Sequence, residues 1–296
     1  MQKEQLKRLL KDRLHQYYLL TRLNKPIGIF LLLWPTLWAL WIASDGHPDY
    51  LVLFVFVSGV VLMRSAGCVI NDYADRKVDP LVERTRLRPI AAGKVTPSEA
   101  LKLFVALCLL AFLLVLLMNP LTIYLSFAGA ALAAIYPFMK RYTHLPQVVL
   151  GMAFGWSIPM AFAAQTNTVP KIAWLLFVVN IVWSVAYDTM YAMADKVDDL
   201  KAGVKSTAIL FDDMDKIMIG LLQVIVLIGL YLIGRQLQFN FLYSLSLIAA
   251  SGFAIYQQVL IRDRVPRRCL QAFLNNNWFG LVVFIGIVLH YLVVEM

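Results

Sequence analysis

The chain has 296 residues, 60% of them hydrophobic and only 15% charged, with a mean hydropathy of +0.71. A soluble domain averages roughly 45–50% apolar and 25% charged residues, so this composition excludes an ordinary water-soluble globule and points to a helical membrane protein. The net charge of +9 calls for no nucleic acid, because membrane topology and anionic lipid account for it.

In chain order, segment 1–22 comes first. It is polar and basic, with Leu6, Leu9, Leu10, Leu14 and Tyr17 at helical spacing. That pattern predicts an amphipathic helix on a membrane surface, with no cleavable signal ahead of the first span. Nine apolar runs follow, near 27–44, 50–70, 103–118, 120–139, 146–164, 171–191, 217–234, 239–261 and 277–294. Such lengths suit a hydrocarbon core of about 30 Å, and Asn119-Pro120 makes the third and fourth runs a tight hairpin. No linker or low-complexity tract intervenes, so the expectation is an all-α polytopic membrane protein, a single domain over 1–296 with nine transmembrane helices.

Of the 27 Lys and Arg residues, 24 fall in segments on one side of that topology. Lys171 and Arg235 lie on the other side, and Arg64 lies inside the second span. The positive-inside rule therefore predicts a cytoplasmic N terminus and cytoplasmic loops at 71–102 and 192–216. Cys68, Cys108 and Cys269 show no zinc or disulfide spacing, and the four histidines are scattered.

Two aspartate clusters break the apolar pattern. One runs from Asn71 and Asp72 through Asp75 to Asp79; the other holds Asp188, Asp195, Asp198 and Asp199. Acids beside a bilayer are costly unless paired or metal-bound. The clusters follow the second and sixth spans, and Asp75 and Asp79 recur as Asp195 and Asp199 at an offset of 120. That recurrence suggests two four-helix halves plus a ninth helix, with the clusters facing each other across a central cavity. Asn71, Asp75 and Asp79 are spaced to share one helical face, as are Asp188, Asp195 and Asp199, each set lying within about 40° per step. Asp72 and Asp198 point off these faces and read as supporting or surface residues. Oxygen ligands of this kind suit magnesium, and the basic residues around them suit anionic oxygens: Arg64, Arg84, Arg86, Arg88, Lys94, Lys140, Arg141, Lys201 and Lys205. Carboxylates for metal with Arg and Lys for anions make a pyrophosphate site.

Other motifs carry less. Asn24-Lys25-Pro26 reads as an ordinary helix start, although Asn24 could face the cavity. Trp34, Trp38 and Trp41 read as lipid or interface packing. Asn275-Asn276-Asn277 reads as a loop cap before the last span, and His144 as structural.

At the aspartate clusters the chain resembles the UbiA superfamily of intramembrane aromatic prenyltransferases. The first motif is matched by Asn71, Asp75 and Asp79, then Arg84-Thr85 and Arg88-Pro89. The second is matched by Tyr187-Asp188 and Asp195-Lys196-Val197-Asp198-Asp199, then Gly203 and Lys205-Ser206-Thr207. Residues 23–28, 136–142 and 145–147 make it most similar to the bacterial 4-hydroxybenzoate polyprenyltransferases of ubiquinone synthesis. The resemblance implies a UbiA-type fold in a bacterial inner membrane, with a cytoplasmic cap over the aspartates and a side opening to lipid. It implies transfer of a polyprenyl group from polyprenyl pyrophosphate to the ring of 4-hydroxybenzoate, with no obligatory protein partner. Mg2+ would be held by Asn71, Asp75, Asp79, Asp195 and Asp199, and the pyrophosphate by Arg84, Arg88, Lys94, Lys140, Lys201 and Lys205. Asp188 would orient or deprotonate the phenol, and Arg141 or Arg64 would hold the benzoate carboxylate.

Rival readings are a haem-farnesylating or menaquinone-type member of the same superfamily, a divalent-cation transporter and a CDP-alcohol phosphotransferase. A transporter should place acids near the bilayer midplane on broken helices, whereas both clusters fall at one face. The phosphotransferase's glycine-containing aspartate signature is not present in the sequence.

Overall fold

The computed structural model describes residues 2–81 and 85–294. All regular structure among them is helical: α1 Gln2–Leu20, α2 Ile27–Ala43, α3 Tyr50–Asp75, α4 Pro97–Val115, α5 Pro120–Met139, α6 Pro146–Gly155, α7 Ser157–Thr166, α8 Lys171–Ala202, α9 Thr207–Phe211, α10 Asp215–Gln236, α11 Phe241–Ile261 and α12 Pro266–Val294. Eight segments are long and apolar enough to cross a membrane, with α6–α7 and α9–α10 each counting as one. The expected count of nine is reached only by adding α2, an apolar helix of 17 residues. The chain is a multi-pass, all-α membrane protein.

Local chemistry sets many of the ends. The Asp49 carboxylate accepts from the first-turn amides of α3, and Asn119 does the same for α5. Thr96 and Glu99 form a reciprocal capping box on α4. Gly203 stops α8 in the left-handed region at φ 66°, where only a residue without Cβ sits freely. The α6–α7 break follows from Pro159, which has no N–H to give to the Gly155 carbonyl one turn back.

The core sits where α2, α7, α8, α10 and α12 meet. Of Trp34, Trp38 and Trp41, expected to pack against lipid or at the interface, Trp38 lies in the core instead, and Trp34 and Trp41 are half-buried against it. Trp38 is 0% exposed, stacks on Trp183 at 5.3 Å and donates its indole N–H to the Gly280 carbonyl. Trp41 meets Phe284 edge-on. Asn275-Asn276-Asn277 is not a loop cap either, because it lies inside α12. Successive helical residues point about 100° apart, so each asparagine addresses a different neighbour. Asn275 accepts from Gln257 on α11 (3.0 Å), Asn276 from Trp183 on α8 (2.9 Å) and Asn277 from Trp34 on α2 (2.9 Å). Gln257 in turn accepts from Gln223 on α10 (2.8 Å). Polar side chains bonded across helices are a recognised glue where lipid removes the hydrophobic drive.

Replacing Asn276 by Leu leaves the buried Trp183 N–H without an acceptor, a loss of about 1–2 kcal/mol. The Asn276→Leu variant should unfold at a lower temperature in detergent than the parent; an unchanged midpoint would contradict the hub.

Candidate active site

The first cluster lies at the end of α3 and just beyond it. Asn71, Asp72 and Asp75 occupy the last turns, but the helix stops at Asp75 and Asp79 enters a 3-10 turn, Asp79–Leu81. Asp79 therefore does not share the helical face expected for it. Pro80 explains the stop, since a residue before proline is pushed out of the α region and proline cannot donate to the preceding turn. The second cluster does lie on one continuous helix: α8 carries Asp188, Asp195 and Asp199 as far as Ala202.

Each carboxylate of the first cluster is buried against a cation. Asp72, only 2% exposed, accepts from Arg22 at 2.8 and 2.9 Å and pairs with Arg88 at 3.2 Å. Asp79 accepts from Arg88 at 3.1 Å. Asp75 binds Lys140 through Oδ2, while its buried Oδ1 has no hydrogen-bond partner among the described residues. Asp199 lies within electrostatic range of Asp195, Lys140 and Asp75, so Lys140 stands between the two clusters. Burial, aided by Asp72 and Asp75 and opposed by Arg88, pushes the Asp79 carboxyl up to about 6.

The other expected residues divide. The Lys205 amide bonds the Lys140 carbonyl at 3.2 Å, which brings it to the site's edge. Lys94 is exposed, and Lys201, its side chain 74% exposed, reaches Asp198 at 3.9 Å and no other described carboxylate; neither is brought to the buried aspartates among the described residues. Asp198 itself lies towards the surface, as expected, whereas Asp72 is deeply engaged. Asn24 and His144 are exposed. Arg84 lies outside the described residues. Arg22 was missed in the sequence because its only signal was a charge in a basic segment.

A second level lies deeper in the bundle. At 1.5 Å per residue, Arg64 is about 16 Å along α3 from Asp75, and Asp188 about 10 Å along α8 from Asp195. Arg64 and Asp188 interact electrostatically without forming a close ion pair, and Asp188 hydrogen-bonds Gln147 of α6. The Gln147 amide oxygen also accepts from the Thr207 backbone N–H at 3.3 Å, which ties α6, α8 and the start of α9 together around Asp188. Arg64 lies over the Phe154 ring at 5.3 Å, near Tyr136, Tyr187 and Tyr191, and is half-buried. It makes no hydrogen bond or ion pair with any described residue. Arg141, by contrast, is exposed and donates to the Ala74 carbonyl at 2.7 Å.

The UbiA prenyltransferase family model matches residues 32–285. The chain belongs to the UbiA prenyltransferase family. Its relatives include proteins named 4-hydroxybenzoate octaprenyltransferase from Methylococcus capsulatus, 62% identical over 95% of this chain and 97% of that one, and from Nitrosococcus oceani, 62% identical over 96% and 99%. The fold matches an apo UbiA homologue from Aeropyrum pernix with a TM-score of 0.78 at 22% identity, covering 88% of this chain and 97% of that one. It also matches a UbiA homologue from Archaeoglobus fulgidus bound to GPP and Mg2+, with a TM-score of 0.70 at 17% identity over 95% and 100%.

Among the described residues no three His, Cys, Asp or Glu side chains are already grouped to hold a metal ion. The UbiA donor set nonetheless fits magnesium. It is all oxygen, and the orphaned Asp75 Oδ1 is a buried acceptor in need of a cation. A cation held by Asp79 would compete with the proton, since the carboxyl titrates near 6. Magnesium affinity measured calorimetrically should therefore weaken as pH falls through 6, by up to about tenfold per unit. Constant affinity from pH 5 to 7 would contradict a role for Asp79.

Proposed function

We propose that the chain transfers a long polyprenyl group from its diphosphate to the ring carbon beside the hydroxyl of 4-hydroxybenzoate, as a magnesium-dependent step of ubiquinone biosynthesis. The observation that carries the acceptor assignment is Arg64. A guanidinium inside an apolar bundle that feels Asp188 only at a distance, with no ion pair to any described residue, is expensive, and a benzoate carboxylate supplies a direct partner in the fork geometry that Arg favours. Arg141 is exposed and already donates to a carbonyl, which leaves Arg64 as the better holder. The relatives' name and their 62% identity over nearly the whole chain support the same acceptor.

Asn71, Asp75, Asp79, Asp195 and Asp199 would hold magnesium, which when bound neutralises charge on the diphosphate leaving group. Lys140 and Arg88, now paired with Asp75 and with Asp72 and Asp79, would turn towards the diphosphate oxygens, with Lys205 at the edge. The allylic C–O bond breaks, its electron pair leaves with diphosphate, and the ring carbon forms the new C–C bond. Asp188, oriented by Gln147, accepts the phenol proton as the ring attacks; the departing diphosphate takes the ring proton, which restores aromaticity, and Asp188 returns its proton to the phenolate oxygen. The prenyl tail would run between apolar helices into lipid. The basic face would be cytoplasmic, in a bacterial inner membrane.

Turnover by purified protein should vanish with EDTA and return with magnesium; full activity without divalent metal would sink the metal role. Asp75→Asn and Asp195→Asn should each lower kcat by at least about a hundredfold in folded protein. Asp188→Asn should lower kcat by about 10²-fold or more, and an unchanged kcat would remove Asp188 from the mechanism.

A further inference from the structure

Gly28 opens α2, and its backbone is where the Arg64 guanidinium rests. A Cβ built on Gly28 would fall within 2.6 Å of Arg64 Cζ and closer still to Nε. Gly28 is not among the residues with positive φ, so its conformation is open to any residue. Glycine in a helix is otherwise a cost of up to about 1 kcal/mol relative to alanine. Space for the guanidinium is what the position gains in exchange. Two further facts concern the same spot. Among the described residues no side chain caps the N terminus of α2, so its positive end lies beside an Arg64 that feels Asp188 electrostatically but makes no close ion pair with it. The guanidinium is also held over Phe154 of α6, so α2 and α6 both fix its position.

We propose that Gly28 is a specificity-determining positioning residue: the absent side chain makes the seat that aims Arg64 at the acceptor's carboxylate. This rests on the reading of Arg64 as carboxylate holder. The atoms nearest a methyl at Gly28 all belong to the far end of a flexible side chain, so the fold persists while the guanidinium moves off its seat. Recognition of the acidic acceptor falls, and donor binding, which belongs to the aspartate level, does not.

The test uses the full-length protein in detergent with 4-hydroxybenzoate and its uncharged isostere 4-hydroxybenzamide as acceptors. Gly28→Ala should raise KM for the acid by about tenfold or more, the scale of one charge-assisted contact, and bring the acid-to-amide preference towards unity. KM for polyprenyl diphosphate should stay the same. Arg64→Gln should collapse the same preference, and adding Gly28→Ala to it should change nothing more, because the glycine acts only through the arginine. If Arg64→Gln leaves the preference intact, the carboxylate reading falls and this inference with it. If Arg64→Gln collapses the preference and Gly28→Ala does not, the inference alone is overturned. Should Gly28→Ala fail to fold, recovery of folding in the Gly28→Ala/Arg64→Gln double variant would support the seat, and failure of both would overturn it.

Discussion

The ion pairs of Asp72 with Arg22 and Arg88, of Asp79 with Arg88 and of Asp75 with Lys140 tie three separate segments to the end of α3. Arg22 follows α1, Arg88 lies beyond the 3-10 turn and Lys140 follows α5. A buried ion pair gains little net stability, but loss of one partner strands the other charge. These pairs therefore fix the placement of the cap more than they stabilise the bundle. They also keep the cations close at hand. Under the proposed function a metal–diphosphate group would present both signs of charge, so each side of a pair would gain a new partner.

The deeper level has the opposite electrostatic state. Arg64 faces a Phe ring, tyrosines and a glycine backbone, with no anion paired to it among the described residues. The first aspartate cluster is held in close ion pairs, whereas Arg64 and Asp188 interact only at longer range. Under the proposed function that contrast would divide labour along the helix axes, with donor chemistry at the end of α3 and α8 and acceptor recognition below it. Gln147 belongs to the lower level, because it bridges Asp188 and the Thr207 backbone from a third helix.

Much of this was legible in the sequence, and the failures have physical causes. Apolar run lengths and the Lys/Arg asymmetry were enough to recognise a multi-pass helical bundle. The paired aspartate motifs pointed to the family, and Asp188, Asp195 and Asp199 do lie on one continuous helix. The face drawn through Asn71, Asp75 and Asp79 failed because Pro80 outweighs periodicity, a signal that was present but not used. Trp38 and Asn275-Asn276-Asn277 were misplaced because hydropathy reports neither which side of a helix faces lipid nor that polar residues can bind across helices. Arg22, Gln147 and Gly28 are invisible to pattern reading, since their roles exist only once distant helices meet.

The central claim is carbon prenylation of an acidic phenol, and the position of the new bond tests it most directly. Purified protein supplied with magnesium, a polyprenyl diphosphate and ring-13C-labelled 4-hydroxybenzoate should give a single product whose NMR spectrum places the prenyl group on the ring carbon beside the hydroxyl. A prenyl ether at the phenol oxygen, an ester at the carboxylate, or no transfer at all would contradict the account.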